Sequence, residues 1–266
     1  MSFCFLALLL LCVETRSLVR VSLLCFLPQY WIVQILSSHK VFINYQNTIR
    51  MKVSTTPRGS LIVFEGCDRS GKTTQCAKLV ESLQAQGEEV KLMKFPDRTT
   101  TIGTLINNYL QMSQELDDRV VHLLFSANRW EAIESMKKTL KAGTTLIVDR
   151  YAFSGIAYSA AKGLDLEWCR SPDIGLIKPD KVIYLSVNEQ IMSERANYGN
   201  ERYEKIDFQK RVHNIFLQLQ EPYWQNVSAD GSIDVIHKEI NTIVSETIRD
   251  SKVKPLLKLW TDGEIL

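Results

Sequence analysis

The sequence predicts an α/β fold with one five-stranded parallel sheet and helices on both of its faces. Short apolar runs alternate with longer segments whose apolar residues recur at helical spacing, an order typical of parallel sheets with crossover helices. A glycine-rich segment follows the first apolar run, and an aspartate closes a later one. Ligands of such sheets bind beyond the carboxyl ends of the strands, where these polar residues fall.

The first half of the pattern starts at residue 61. Residues 61–65 are an apolar run that predicts a buried strand. The helix predicted after it has Leu79, Val80 and Leu83 on one face. The predicted elements up to residue 148 are a strand at 61–65, a helix at 73–86, a strand at 90–95, helices at 102–112 and 117–140, and a strand at 144–148.

The second half continues the alternation. Val212, Phe216 and Leu219 are spaced for burial on one side of a helix. The predicted elements are a helix at 151–162, a strand at 181–187, helices at 188–197 and 208–224, a strand at 233–236 and a helix at 240–248.

Residues 66–74 read Gly-Cys-Asp-Arg-Ser-Gly-Lys-Thr-Thr and fit the phosphate-binding pattern G-x-x-x-x-G-K-[ST]. The glycines let the backbone close around an anion, and the loop N–H groups and the helix N-terminus face the phosphates. The lysine reaches the β- and γ-phosphates, and the hydroxyl that follows it binds Mg²⁺. A strand before the loop and a helix after it favour this interpretation over a chance match. The residues predicted to hold the ATP phosphates are Gly66, Ser70, Gly71, Lys72, Thr73 and Thr74.

Asp149 closes the apolar run 144–148, and a carboxylate beside a phosphate loop is suited to Mg²⁺. A capping role for the next helix is compatible with this. Thr73 and Asp149 are therefore the predicted metal ligands. Phosphoryl transfer between two nucleotides concentrates negative charge, so arginines are expected at strand ends and in the loop. The candidates are Arg69, Arg98, Arg129 and Arg150, and the residues predicted to be catalytic are Arg69, Lys72, Arg98, Asp149 and Arg150.

Composition excludes some classes of function. Lys and Arg number 32 against 30 Asp and Glu, which gives no support for nucleic-acid binding through bulk charge. The six cysteines contain no C-x-x-C pair and predict reduced thiols in an intracellular protein. Cys67 lies inside the loop, where its oxidation would obstruct nucleotide binding.

Residues 1–50 form an apolar extension that differs from the rest of the chain. A secretory signal lacks its basic start, since the first positive side chain is Arg16, and Glu14 and Arg20 also interrupt a membrane anchor. A mitochondrial presequence would contain more Arg and Ser. We favour a fourth interpretation, in which the working domain is 51–266 and translation starts at Met51. No membrane association is expected for that domain.

Five separated motifs, in their order along the chain, resemble those of the thymidylate kinases, which convert dTMP and ATP to dTDP and ADP. They are Phe-Glu-Gly-Cys-Asp-Arg-Ser-Gly-Lys-Thr-Thr-Gln at 64–75, Phe-Pro-Asp-Arg at 95–98, Leu-Phe-Ser-Ala-Asn-Arg-Trp-Glu at 124–131, Asp-Arg-Tyr-Ala-Phe-Ser-Gly at 149–155 and Glu-Arg-Tyr-Glu at 201–204. The resemblance extends over about residues 58–260. It implies a P-loop NTPase fold with a short lid, ATP and Mg²⁺ as cofactors, and a homodimer. It leaves the cytoplasm, nucleus and mitochondrion open as locations.

The resemblance also implies roles on the phosphate side. Arg69 bridges the two nucleotides in the transition state. Arg98 and Arg150 clamp the dTMP phosphate, and Asp68 holds the 3′-hydroxyl. The lid covers residues 194–202 and carries Arg195 and Arg202.

On the base side, the resemblance implies that Phe125 stacks on thymine and Arg129 hydrogen-bonds to it, with Phe95 also in the dTMP site. Tyr158 and Tyr203 line the sugar, where their bulk disfavours a ribose 2′-hydroxyl.

Three alternatives remain. Another P-loop kinase for a small acceptor would share the phosphate site. A GTPase needs an Asn-Lys-x-Asp motif, which is missing, and the mis-spaced Asp173-Ile174-Gly175 does not supply its switch motif. A catalytically inactive nucleotide-binding protein is disfavoured because Lys72 and Asp149 are both retained.

Overall fold

The computed structural model describes residues 57–188, 202–203 and 205–266, together with the backbone of residues 21–22 and 34–35. The chain divides into two units, Met1–Val53 and Ser54–Leu266. In the first unit, strands β1 (Val21–Ser22) and β2 (Gln34–Ile35) pair antiparallel. The features below all belong to the second unit.

A parallel sheet of five strands organises the second unit, with the order β4-β5-β3-β6-β7. The central strand β3 and its neighbour β5 are buried at every position, as their apolar sequences predict. The strands are β3 (Leu61–Glu65), β4 (Val90–Lys94), β5 (Thr145–Asp149), β6 (Lys181–Ser186) and β7 (Trp224–Ser228).

Helices cover both faces of this sheet. The described helices are α1 (Lys72–Ala85), α2 (Thr101–Leu110), α3 (Asp118–Trp130), α4 (Ile133–Lys141), α5 (Ala152–Ala160), α6 (Leu166–Arg170), α7 (Ile206–Gln218) and α8 (Ile233–Ser251).

Alternate residues of β3 enter two separate cores, because successive side chains of a strand point to opposite faces. Leu61 and Val63 pack in the core formed with α4, α5 and α7. Ile62 and Phe64 pack in the core formed with α1 and α8. The predicted fold class, with its five parallel strands and two helical layers, is thereby confirmed.

The predictions for the end of the chain were wrong. The predicted helix at 208–224 ends at Gln218, and the fifth strand is Trp224–Ser228 rather than 233–236. Only Trp224 and Val227 of that strand are buried, so it has no alternating pattern for the sequence to reveal.

Residues 233–248 belong to one long helix, α8. The Ser232 hydroxyl caps it by accepting a hydrogen bond from the Val235 amide. Ile236, Ile240 and Val244 recur every fourth residue and are all buried. The β-branched content that suggested a strand is thus overridden by helical spacing and a cap.

The predicted helix at 117–140 is two helices, α3 and α4. No glycine or proline marks the break, and side-chain contacts surround it: Asn128 Nδ2 donates to Glu131 Oε1 at 2.6 Å, and Trp130 Nε1 donates to the Pro172 carbonyl at 2.7 Å. Helix α6 was not predicted. The helix predicted at 188–197 lies outside the described residues, except for its first residue.

No helix within the described ranges has both the length and the apolar character needed to cross a bilayer.

Arg58 ties the start of β3 to the C-terminal segment. Its guanidinium pairs with Asp180 at 2.7 and 2.8 Å and donates to the Lys254 carbonyl at 2.6 Å. Asp180 Oδ2 also accepts from the Leu61 amide at 2.8 Å. Both side chains are largely buried, so this pair fixes the start of the central strand.

Replacing Arg58 by Ala should lower the free energy of unfolding by about 3 kcal/mol, because it leaves the buried Asp180 carboxylate without its cation. Urea denaturation followed by circular dichroism measures this. Lys254→Ala is the matched control, since that residue takes part through its backbone carbonyl, and it should change the free energy by less than about 0.5 kcal/mol. Equal effects of the two substitutions would contradict the proposed role of the Arg58 side chain.

Candidate active site

The phosphate-binding loop joins β3 to α1, as its pattern predicts. Gly66 and Gly71 have φ angles of 145° and 94°, which side-chain-bearing residues rarely adopt. A Cβ on Gly66 would lie 2.6 Å from the Leu185 carbonyl oxygen and 2.9 Å from Ser70 Oγ. Glycine is therefore required there for space as well as for conformation.

A cavity of about 850 Å³ opens beyond the carboxyl ends of β3, β4 and β5. Its size is at the upper end of the usual range for small-molecule sites. It brings together nearly all of the predicted site residues: Asp68, Arg69, Ser70, Gly71, Lys72, Thr73, Thr74, Phe95, Arg98, Phe125, Arg129, Asp149, Arg150, Tyr158 and Tyr203.

Among the described residues, two predicted site residues, Gly66 and Arg202, do not line this cavity. Gly66 contributes to the site through the backbone conformation of the loop. Arg202 lies against the end of α2, where it pairs with Glu115 at 2.6 Å and its guanidinium carbon lies 4.1 Å from the ring centroid of Tyr109. Arg195 and most of the predicted lid lie outside the described residues.

Asp149 meets the first turn of α1. It pairs with Phe64 in the register of β3 and β5, and its Oδ2 accepts a hydrogen bond from Thr73 Oγ1 at 2.6 Å. Oδ1 is buried and has no hydrogen-bond partner among the described residues. An orphaned carboxylate oxygen beside a threonine hydroxyl suits Mg²⁺, which is bound by one or two carboxylates together with phosphates and water.

Lys72 is almost fully buried in the loop. Its Nζ donates to the Cys67 carbonyl at 2.6 Å and to Ser70 Oγ at 3.1 Å. Burial, and next the nearby Arg150 cation, lower the pKa of Lys72 to about 8. A bound phosphate would add negative charge beside this ammonium group and favour its charged form.

Arg150 follows β5 with a φ of 72°, a strained conformation for a residue with a side chain. Its guanidinium forms an ion pair with Asp68 and donates to the Gly66 carbonyl at 3.3 Å and to Ser154 Oγ at 3.2 Å. It lies 5.4 Å from the ring centroid of Tyr158. The arginine therefore links the phosphate loop to α5 across the cavity.

Glu65 holds the turn that carries Arg150. Its Oε1 accepts from the amides of Tyr151 and Ser154 at 2.9 and 3.0 Å, and Oε2 accepts from the Ser154 hydroxyl. Burial raises the pKa of Glu65. These three hydrogen bonds to the buried Glu65 carboxyl group hold the turn after β5 in place. They offset the backbone strain at Arg150.

The end of the cavity between α3 and α5 is built for a flat, partly apolar ligand. Phe125 is half-buried on its wall, and the rings of Tyr158 and Tyr203 meet edge to face at 5.5 Å. Phe95 closes one side, with its ring 5.9 Å from that of Tyr151. Arg129 is also at this end, buried rather than projecting into solvent.

Sequence reasoning missed Gln209, a buried residue of α7. Its Oε1 accepts from the Asp68 amide at 2.9 Å, and its Nε2 donates to Asp68 Oδ2 at 2.7 Å and to the Tyr203 carbonyl at 3.0 Å. Gln209 thus holds both the backbone and the carboxylate of a loop residue. A single glutamine in a helix more than 100 positions away carries no local signal of this role.

The opposite end of the cavity was also missed. Ala229, Gly231, Ile233 and Ile236 line it beside Thr74 and Gln75. The sequence predicted a last strand at 233–236, and none of these four residues was predicted to belong to the site.

The side chain of Cys67 is buried within the loop, with its thiol 3.6 Å from the Gln209 carbonyl oxygen. Burial raises the pKa of Cys67 to about 11. Both features reduce the reactivity of the thiol toward oxidants.

Comparison with known proteins agrees with this geometry. Residues 64–240 match the family model described as thymidylate kinase. Thymidylate kinase of Schizosaccharomyces pombe is 52% identical over 199 residues, covering 73% of this chain and 95% of that protein. The human thymidylate kinase is 47% identical over 207 residues, covering 76% and 98%. The thymidylate kinase of Arabidopsis thaliana is 47% identical over 219 residues, covering 82% and 83%.

A solved structure shows the same fold. The thymidylate kinase of Candida albicans superposes with a TM-score of 0.65 at 38% identity, over 79% of this chain and 97% of that one. The predicted P-loop NTPase fold is confirmed.

The lowered pKa of Lys72 predicts a pH dependence of nucleotide binding. Above about pH 8 the free protein carries a neutral Lys72, so binding of a triphosphate must take up a proton. The dissociation constant for ATP should therefore rise about tenfold per pH unit above this pKa, as measured by calorimetry between about pH 7 and pH 9.5. Lys72→Arg keeps its charge in this range and should lack this rise. A flat curve for the wild type would contradict the lowered pKa.

Proposed function

The chain belongs to the thymidylate kinase family and is a nucleoside monophosphate kinase, and on that premise we propose that it transfers the γ-phosphoryl group of ATP to dTMP, a step of dTTP biosynthesis. One observation carries the proposal. A single cavity of about 850 Å³ has a phosphate loop at its centre, an aromatic wall at one end and an apolar wall at the other. Two nucleotides can therefore meet phosphate to phosphate over the loop.

The donor phosphates lie on the loop and the N-terminus of α1 in this proposal. Backbone N–H groups from Gly71 to Thr74 and the Lys72 ammonium bind them. Thr73 and Asp149 would hold Mg²⁺, which when bound neutralises phosphate charge. The adenine end then lies against the wall formed by Ala229 and Ile233, beside the buried Gln75.

The acceptor phosphate lies between Arg98 and Arg150. Arg150 already faces the loop, and its ion pair with Asp68 brings that carboxylate beside the sugar position. The Asp68 carboxylate accepts a hydrogen bond from the sugar 3′-hydroxyl, and Gln209 holds that carboxylate in place.

The acceptor base lies at the aromatic end. Phe125 stacks on the ring, a contact that contributes about 1 kcal/mol or more by analogy with other aromatic–base pairs. Arg129 donates to the base, and Tyr158 and Tyr203 pack against the sugar.

Transfer is in line and has no covalent intermediate, so catalysis consists of positioning and charge stabilisation. Arg69 lies in the loop with a φ of 62° and lines the cavity where the two phosphates meet. We assign to it the charge that bridges donor and acceptor in the transition state.

We also propose a homodimer formed through α3. Val120, Leu123 and Trp130 are each at least 40% exposed and, at helical spacing, share one face of this helix. Rows of exposed apolar side chains are typical of protein interfaces. The opposite face of α3 carries Phe125 and Arg129 to the cavity, so dimerisation would brace the wall of the base site.

We further propose that residues 51–266 form the working domain and act in the cytoplasm, nucleus or mitochondrion. The residues assigned above all lie within 51–266. The three described cysteines are free and buried, as in proteins of reducing compartments.

Arg69→Ala should lower kcat by about 10³-fold or more while the KM for dTMP changes by less than about threefold, because the contact belongs to the transition state. Arginine and alanine both carry a Cβ, so the positive φ at position 69 strains the loop backbone to a similar extent in the wild type and in the variant. Steady-state kinetics with ATP, Mg²⁺ and dTMP measure this. Arg249→Ala, an exposed arginine of α8, is the matched control and should leave both parameters unchanged. An effect confined to KM would make Arg69 a binding residue.

Leu123→Glu should convert the dimer to a monomer in sedimentation equilibrium, because it places charge in the apolar face of α3. Val253→Glu alters a residue that is 81% exposed elsewhere and should leave the mass unchanged. A wild-type protein that is monomeric at micromolar concentration, or a Leu123→Glu protein that stays dimeric, would refute this interface.

A further inference from the structure

We propose that Asp173 is a positioning residue for base recognition. It holds the guanidinium of Arg129 in one orientation, so that the free N–H groups of that arginine face the acceptor base. This inference rests on the proposed function, in which Arg129 contacts the base. Sequence analysis singled out Asp173 only as part of a mis-spaced switch motif, and the phosphoryl-transfer chemistry assigns it no role.

Asp173 ends the 3₁₀ turn Ser171–Asp173 and is completely buried. Its Oδ2 accepts from Arg129 Nη2 at 2.5 Å, and its Oδ1 lies 3.2 Å from Arg129 Nε. Two parallel hydrogen bonds of this kind fix the plane of a guanidinium as well as its position. The third contact of the carboxylate comes from Ser126, whose hydroxyl donates to Oδ1 at 2.7 Å.

The pair is buried on the wall of the cavity. The side chains of Arg129 and Asp173 are 2% and 0% exposed, so each charge depends on the other for compensation. Asp173 accepts hydrogen bonds from Nε and from one of the two N–H groups of Nη2. Nη1 has no hydrogen-bond partner among the described residues, and Arg129 contributes to the cavity lining.

Gly155 holds the guanidinium from the side of α5. A Cβ added to this glycine would lie 2.8 Å from Nη2, 3.0 Å from Nη1 and 3.2 Å from Cζ of Arg129. The helix backbone therefore packs directly on the guanidinium. Asp173 fixes the edge of the guanidinium that carries Nε and Nη2, and Gly155 packs on its face. The N–H groups of Nη1 are left for a ligand.

This arrangement has a chemical consequence for base selection. A guanidinium offers donors and no acceptor. A pyrimidine with a carbonyl on the facing edge can accept from Nη1, whereas an amino group there would set donor against donor in a buried site. A guanidinium free to rotate would discriminate less. Asp173 thus acts on selectivity through Arg129, without touching the base.

The test compares ligands with and without the base. Asp173→Asn keeps the size of the side chain and removes its charge. We expect the KM for dTMP to rise by about tenfold or more, and the preference for dTMP over dCMP in kcat/KM to fall by a similar factor. The inhibition constant of 2-deoxyribose 5-phosphate, which shares only sugar and phosphate with dTMP, should change by less than about twofold, and so should the KM for ATP.

Two further substitutions keep the proposal testable if Asp173→Asn does not fold. Ser126→Ala removes one hydrogen bond to the carboxylate and should raise the KM for dTMP by about two- to fivefold. Gly155→Ala displaces the guanidinium while leaving Asp173 intact and should also weaken dTMP relative to the sugar phosphate.

The proposal is overturned if Asp173→Asn weakens dTMP and 2-deoxyribose 5-phosphate equally, since that pattern indicates a general structural role. It is also overturned if dTMP kinetics are unchanged in every one of these variants that folds. A failure of the proposed function would look different, because the wild type itself would then prefer another acceptor over dTMP.

Discussion

The pairing of β3 with β5 is the constraint on which the site depends. Phe64 lies opposite Asp149, and the Arg150 amide donates to the Phe64 carbonyl at 2.9 Å. This register carries Asp149 to the Thr73 hydroxyl and Arg150 to the loop. Because strand side chains alternate between faces, a slip of one residue would turn Asp149 away from α1. The register is fixed because both strands bury every residue between two helical layers.

The centre of the site was predictable because it is local in sequence or tied to strand ends. The loop pattern gave Gly66, Gly71 and Lys72 from spacing alone, and an apolar run that closes in aspartate gave Asp149. Resemblance supplied the base side: it gave a site role to Phe125, which helical spacing alone would assign to the core, and it gave Arg129 its contact with the base. The cavity lining brings these residues together, and their contacts to substrates remain predictions.

The part of the site that the sequence did not predict depends on contacts between segments far apart in the chain. Gln209 reaches Asp68 across 141 positions, and Asp173 reaches Arg129 across 44, and neither spacing has a periodic signature. The fifth strand was misplaced because β7 is an edge strand with few buried residues. The β-branched residues at the start of α8 favour a strand when taken alone. The Ser232 cap and the four-residue spacing of the buried residues instead produce a helix.

The central claim is that the two ends of one cavity bind ATP and dTMP. The most direct test is ADP formation by the purified full-length chain with ATP, Mg²⁺ and, separately, dTMP, dUMP, dGMP, AMP and thymidine. The account predicts that kcat/KM for dTMP exceeds every other value, by about tenfold or more over dUMP, which lacks only the methyl group. A higher kcat/KM for any other acceptor, or ADP formation that no acceptor stimulates, would contradict it.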